Sequence, residues 1–340
     1  LVYTEPPIIG GFFSPVFQEL PMKLKCAILD DYQGVALTMA DWSLLGEQVE
    51  VFSLREHIDD EDQLVSRIND CEIVVIMRER TPFTAALLSR LPKLQLLITS
   101  GMRNASIDLP AAIRQGVTVC GTASGSEAPM ELTWALILGL AKHLVAESGG
   151  LRVNGPWQQH VGITLHGKTL GLLGLGKIGG QMAKVAQAFG MNVVAWSQNL
   201  TAERAQEFGV QLAESKQALL AASDFVSVHL VLSDRSRGLI DGQALAQMKN
   251  SAFLINTSRA AIVDQQALVE ALQTGQIAGA GLDVFEVEPL PADHPLRRLP
   301  NVLATPHVGY VADDNYRTYF REAIADIQAF IAGEPLRKLG

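Results

Sequence analysis

From residue 25 onward, short apolar runs rich in Val, Ile and Leu alternate with stretches whose apolar positions recur every three or four residues. The runs at 26–29, 49–52, 73–77, 94–98 and 117–119 predict strands, and 61–68, 85–91 and 109–114 predict helices between them. A longer apolar-rich segment, 128–146, predicts one helix with Pro129 in its first turn, where a missing N–H costs little. This helix is expected to bridge two domains that meet near 121–127, with 148–156 as a loop after it. A second alternating set follows, with strands at 170–173, 191–196, 225–231, 252–255 and 277–282. Its helices are expected at 181–189, 202–208, 216–221, 242–248 and 265–274, and the tail 313–331 forms a helix that returns to the first domain. Alternation of this kind predicts an α/β fold with two doubly wound parallel sheets, each covered by helices on both faces. The expected domains are 22–124 with 308–340, and 125–307. Ligands of such sheets bind beyond the carboxyl ends of the strands, so the loops there hold the candidate chemistry.

One such loop is glycine-rich. The run Leu170 to Leu173 ends in Gly174-x-Gly176-x-x-Gly179 and passes into a helix, the order a dinucleotide-binding unit requires. Gly174 makes the tight turn, Gly176 lets a pyrophosphate approach the backbone, and Gly179 lets helix and strand pack closely. The helix N-terminus, with Lys177 and Ile178, then presents free N–H groups to the anion.

Composition narrows the function classes. At 340 residues, with 48% apolar and 19% charged residues, the chain suits two globular domains. A net charge of −9 lacks the basic patch of a nucleic-acid binder, and no apolar run is long enough to span a bilayer. Cys26, Cys71 and Cys120 are scattered and odd in number, which suits reduced thiols in a cytoplasmic protein and gives no metal-ligand spacing. Residues 1–21 carry four prolines and no periodicity. They are expected to be a tag, an upstream extension or a loose arm, and without a basic n-region not a signal peptide.

Three ionisable residues follow predicted strand ends: Arg259 after Asn256-Thr257-Ser258, Glu288 after Gly281-Leu-Asp283-Val-Phe285, and His307 in Thr305-Pro-His-Val-Gly309. An arginine fork matches a carboxylate or a 2-oxo acid. Histidine passes a proton near neutral pH, and a carboxylate bonded to it fixes its tautomer. Each of the three alone is equally compatible with a surface or structural role. Together they suit the reduction of a ketone carbonyl.

In their order, these four motifs resemble the D-2-hydroxyacid dehydrogenase family, which includes phosphoglycerate dehydrogenases, D-lactate dehydrogenases and glyoxylate/hydroxypyruvate reductases. The resemblance runs from about residue 25 to 331. It implies two Rossmann-like lobes with the active site in the cleft, and usually a homodimer through the cofactor domain. It implies an NAD(P)-dependent enzyme interconverting a small 2-oxo acid and a D-2-hydroxy acid. By position Arg259 resembles the substrate-orienting arginine, Glu288 and His307 the acid–base pair, and Asp283 the residue near the nicotinamide carboxamide. The loop from Ser100 through Met102 and Arg103 to Asn104 resembles the one that holds the substrate carboxylate.

Two departures bear on specificity. NAD-preferring relatives usually end the second strand of the nucleotide unit with an acidic residue, where this chain has Ser197-Gln198-Asn199. That removes the main bar to NADP, so NAD or NADP is expected with a lean to NADP acceptance; Arg204 is the nearest cation. Arg103 stands where many relatives carry glycine, and either adds a cation for an acidic substrate, points outward or pairs with Glu79. His229 is expected to make a structural hydrogen bond or a cofactor-edge contact. Formate dehydrogenases and corepressors of the C-terminal binding protein type share the architecture. The corepressors keep similar motifs and form the alternative, a nucleotide-sensing scaffold.

Overall fold

The computed structural model describes residues 23–340, so the expectation for 1–21 lies outside the described residues. The chain divides into two compact units. Among the described residues the first comprises 23–123 and 319–340, and the second 124–318.

The first unit alternates β1 (Leu24–Ile28), β2 (Val49–Ser53), α1 (Glu61–Ile68), β3 (Ile73–Ile76), α2 (Ala85–Ser89), β4 (Leu96–Thr99), α3 (Leu109–Arg114) and β5 (Thr118–Gly121). Its sheet runs β2-β1-β3-β4-β5, with every pair parallel. β3 and β4 are buried throughout, as strands covered on both faces must be. Each helix starts where a short polar side chain caps it: Asp60 accepts from Gln63 N, Thr84 from Leu87 N and Asp108 from Ala111 N. The chain's last residues add to the β5 edge, Leu339 N donating to Val119 O and Gly121 N to Arg337 O. Arg337 also meets the fully buried Asp326 at 2.9 Å.

The second unit opens with α4 (Glu127–Ala141) and α5 (Leu144–Arg152). It continues with β6 (Thr169–Leu173), α6 (Lys177–Ala188), β7 (Asn192–Trp196), α7 (Ala202–Glu207), β8 (Gln211–Leu212) and α8 (Lys216–Ala222). Then come β9 (Phe225–Val228), α9 (Gly242–Leu245), β10 (Phe253–Asn256), α10 (Gln265–Gln273), β11 (Gly279–Leu282), β12 (Val302–Ala304) and α11 (Asp313–Ile331), whose later part belongs to the first unit. The all-parallel sheet runs β12-β11-β10-β9-β6-β7-β8. The strand order reverses beside β6, the place where such sheets bind ligands.

Three expectations need correction. The 128–146 helix is two helices, because the chain turns at His143, which adopts the left-handed conformation (φ 50°), and the second helix runs on through residues 148–152 of the expected loop. The apolar Leu144 and Val145 prolong the periodic pattern but are exposed, so they do not mark a buried face. Nor does α4 bridge the units. It lies wholly in the second and packs on its sheet, where a Cβ on Gly281 would touch Leu136 and Leu140 at 3.1 and 3.3 Å. Finally, residues 308–318 belong to the second unit, because Val308 N and Gly309 N donate to Asp283 and Asn315 accepts from Gly125 N.

Candidate active site

Register in the second sheet puts the candidate residues on one edge. Trp196, Leu173, Val228, Asn256, Leu282 and Ala304 form one row of Cα partners across β7, β6, β9, β10, β11 and β12. Backbone bonds continue one step past that row: Gly174 N to Trp196 O, His229 N to Leu173 O, Asp283 N to Asn256 O and Thr305 N to Leu282 O. The segments after it carry Ser197, Gly174, His229, Thr257, Arg259, Asp283, Glu288 and His307. Residues far apart in sequence leave the sheet side by side because parallel strands all end on the same side.

The glycine turn fits a dinucleotide. A Cβ on Gly174 (φ 103°) would lie 2.5 Å from His229 O, and one on Gly179 would lie 2.2 Å from Gly174 O, so both glycines are required by the protein itself. A Cβ on Gly176 would meet nothing within 4 Å. That position is open space beside the start of α6, whose N-cap is Gly176 with no side-chain cap bond, leaving its first N–H groups for an anion. Lys177 is exposed beside it, and Ile178 is half-buried.

Glu288 and His307 are brought together. His307 Nδ1 lies 2.6 Å from Glu288 Oε2, while Glu288 Oε1 accepts from Phe285 N at 2.8 Å. The carboxylate is thus fixed from both sides, and it holds the ring through Nδ1, leaving Nε2 as the outward nitrogen. Tyr310 meets the imidazole edge-on at 5.5 Å. His307 has φ 53°, a conformation that non-glycine residues rarely hold without support.

The support comes from Asp283. This residue is 1% exposed, and its Oδ1 accepts from Thr305 Oγ1 (2.6 Å) and Val308 N (2.8 Å) while Oδ2 accepts from Gly309 N (2.8 Å). Burial pushes its pKa up, and the bonds from Thr305, Val308 and Gly309 oppose that shift. The carboxylate therefore cradles the 305–309 loop that presents His307.

Arg259 is half-buried after β10, with Nη1 donating to Ser258 O (2.8 Å) and its carbonyl accepting from Asn256 Nδ2 (3.1 Å). Thr257 Oγ1 lies 2.8 Å from Thr133 Oγ1 on α4. His229 is held by Ser227, whose Oγ lies 2.8 Å from its Nε2, and burial pushes its pKa down to about 4. Arg204 pairs with Glu207 and stacks over Phe208 at 4.5 Å, so it covers its own helix. Ser197 is half-buried, and Gln198 is exposed.

In the first unit, Met102 and Arg103 are exposed after β4. Their loop is pinned by Gly101 N donating to Thr122 Oγ1, and by Asn104 Nδ2 donating to Arg78 O and Thr99 Oγ1. Glu79 lies 3.7 Å from the guanidinium of Arg78. Sequence reasoning did not single out Thr133 or Thr305; Thr305 was visible inside its motif, but Thr133 looks like any helix threonine.

Comparison with known proteins decides the family. Residues 134–309 match the family described as D-isomer specific 2-hydroxyacid dehydrogenase, NAD binding domain. A glyoxylate reductase of Aeropyrum pernix is 38% identical over 257 residues, 73% of this chain and 76% of that protein. The chain belongs to the D-isomer specific 2-hydroxyacid dehydrogenases. A solved phosphoglycerate oxidoreductase of Vibrio cholerae matches this dehydrogenase with a TM-score of 0.87 and 39% identity, over 91% of this chain and 99% of that one. The D-3-phosphoglycerate dehydrogenase of Methanocaldococcus jannaschii is 34% identical over 80% of this chain, which spans about half (52%) of that longer protein. In this dehydrogenase the family's nucleotide-binding region and the shared strand-end edge coincide.

Proposed function

We propose that the chain is an NAD(P)-dependent oxidoreductase that interconverts a small 2-oxo acid and its D-2-hydroxy acid. The observation that carries this reading is the Glu288–His307 pair, held by Asp283 on the edge that also bears the glycine turn. The bound dinucleotide supplies or accepts the hydride. In the reductive direction protonated His307 delivers its Nε2 proton to the substrate oxygen. Glu288 holds the ring through Nδ1 and so sets its tautomer and orientation. Arg259 orients the carbonyl and carboxylate with its planar donor fork. The loop containing Met102 and Arg103 holds the carboxylate, with Arg103 the cation for an acidic substrate. Gly174, Gly176, Lys177, Ile178 and Gly179 hold the pyrophosphate, with Ser197 and Gln198 at the adenosine ribose and Thr257 and Asp283 toward the nicotinamide. The cofactor is NAD or NADP, and the absence of a carboxylate at 197–199 leans the reading to NADP acceptance, although Arg204 is engaged by Glu207.

The working form in this reading is a cytoplasmic homodimer joined through the second unit. α5 buries none of its residues, and Trp157 and Val161 beyond it are 82% and 93% exposed, an apolar surface suited to a second copy. No observation among the described residues favours the scaffold alternative. The test is the loss of nicotinamide absorbance with NADH and NADPH against glyoxylate, hydroxypyruvate, pyruvate and a larger 2-oxo acid. Cofactor binding without turnover of any acid would overturn the reading.

A further inference from the structure

The loops after β1, β2 and β3 in the first unit are joined by one buried carboxylate. Asp30 is 2% exposed and left-handed (φ 56°), directly after β1, the strand beside which this sheet's order reverses. Its Oδ1 lies 2.8 Å from His57 Nδ1, its Oδ2 accepts from Thr81 Oγ1 at 2.7 Å, and its carbonyl accepts from Arg80 Nη1 at 2.7 Å. His57 Nε2 in turn lies 3.1 Å from Asp59 Oδ1. We propose that Asp30 and His57 form a proton-linked clasp that positions the 78–82 loop, so that substrate binds more weakly once His57 loses its proton. The substrate part rests on the function proposed above.

The chemistry follows from the two ring nitrogens. An imidazolium donates to Asp30 and Asp59 at once, whereas a neutral ring has a single N–H and leaves one carboxylate facing a lone pair. The ring meets Asp30, just after β1, and Asp59 on its own segment; Arg80 and Thr81 from the loop after β3 bond Asp30, and Glu56 and Asp60 line the same cavity as the ring. Arg55 and Arg67 stand in the walls of the cavity that His57 also lines, which gives the proton a route to solvent. The bond to Asp30 raises the His57 pKa; burial opposes it, and the charges of Asp30 and Asp59 add to it. Loosening is transmitted through the bonds of Arg78. The 78–82 loop begins at Arg78, whose N donates to Ser100 Oγ, whose Nη1 donates to Ser100 O, and whose carbonyl accepts from Asn104 Nδ2. Arg78 itself is left-handed (φ 56°), a backbone state that needs such support. Asp30 and His57 are thus positioning residues for the candidate substrate loop.

The test follows amide hydrogen exchange in 78–82 from pH 5.5 to 9, corrected for intrinsic exchange, in the wild type, His57→Asn and His57→Ala. Asparagine keeps the donor to Asp30 and does not titrate. Wild-type exchange should quicken as pH rises through the His57 titration, followed by its imidazole NMR signals. His57→Asn should be flat at the wild type's high-pH rate, since its amide, like the neutral ring, gives Asp30 an uncharged donor. His57→Ala should be flat and faster still. KM for the reduced 2-oxo acid should rise roughly two- to tenfold over the same window in the wild type only, with kcat set by other groups. The same pH course of exchange in the wild type and His57→Asn would overturn the clasp. A clasp seen in exchange with a flat wild-type KM would overturn its link to substrate. A clasp seen in exchange with no 2-oxo acid reduced would leave the clasp standing and remove the proposed function instead.

Discussion

A Cβ on Gly179 would stand 2.2 Å from the carbonyl oxygen of Gly174, so the turn after β6 and helix α6 approach as closely as backbone allows. Gly176, between them, faces open space. The two positions should therefore fail differently. Gly179→Ala should lower stability by about 1–3 kcal/mol, since backbone must shift. Gly176→Ala should melt like the wild type and bind NADH or NADPH at least tenfold more weakly. Thermal melts with a fluorescence titration of cofactor decide this, and tight binding by Gly176→Ala would remove the pyrophosphate from that position.

His307→Gln should lose roughly 10²–10⁴ in kcat while retaining cofactor affinity, the range expected for a lost general acid. Glu288→Gln should lose less, because the amide oxygen still accepts from Phe285 N while His307 Nδ1 loses only its carboxylate partner. Steady-state kinetics with the best 2-oxo acid give both numbers, and near wild-type kcat in His307→Gln would end the acid–base assignment.

Asp283→Asn puts an amide N–H against one of the donors Thr305 Oγ1, Val308 N or Gly309 N. The 305–309 loop should loosen at a cost of about 1–3 kcal/mol. Urea unfolding reads that cost. The kcat of the folded variant should fall further than its cofactor affinity if the loop is what presents His307.

Much of this arrangement was legible in sequence. Helices such as Glu61–Ile68 announce themselves by an aspartate cap and periodic apolar residues, and the glycine turn by a strand running into it. The two-residue β8 and three-residue β12 were not legible, because neither is long enough to show a pattern. The break at His143 was hidden by Leu144 and Val145, exposed residues that keep the helical period. The motif residues were readable, but the bonds joining them were not. Asp283 to Gly309 and Asp30 to His57 each span more than twenty residues, and only strand register brings them together.

The buried Asp326 gives a pH-dependent stability. Burial raises its pKa to about 6 in the folded state, above the roughly 3.9 of an exposed aspartate. A raised value means that the folded state holds the proton more tightly. Its contribution is therefore full below pH 4 and lost as pH rises through 6, roughly 3 kcal/mol by linkage. Asp326→Asn should gain stability relative to the wild type over that interval. Unfolding free energies of the two proteins from pH 4 to 7.5 check this, and a constant difference would refute it.

Trp157→Asp should turn the proposed homodimer into monomers, because its ring is not packed within its own chain. Light scattering after gel filtration gives the mass, and an unchanged dimer would place the interface elsewhere.

The glycines between α4 and the strands β11 and β12 act as a ruler. A methyl on Gly139 would meet Leu303 at 2.6 Å, and one on Gly281 would meet Leu136 and Leu140, so these bare positions set how near the helix lies to the sheet. The same helix carries Thr133, which holds Thr257 two residues before Arg259. The spacing of a greasy seam is thereby written into the placement of a charged fork. A one-carbon change in that seam would register first as a misaimed arginine, in an enzyme whose fold is otherwise intact.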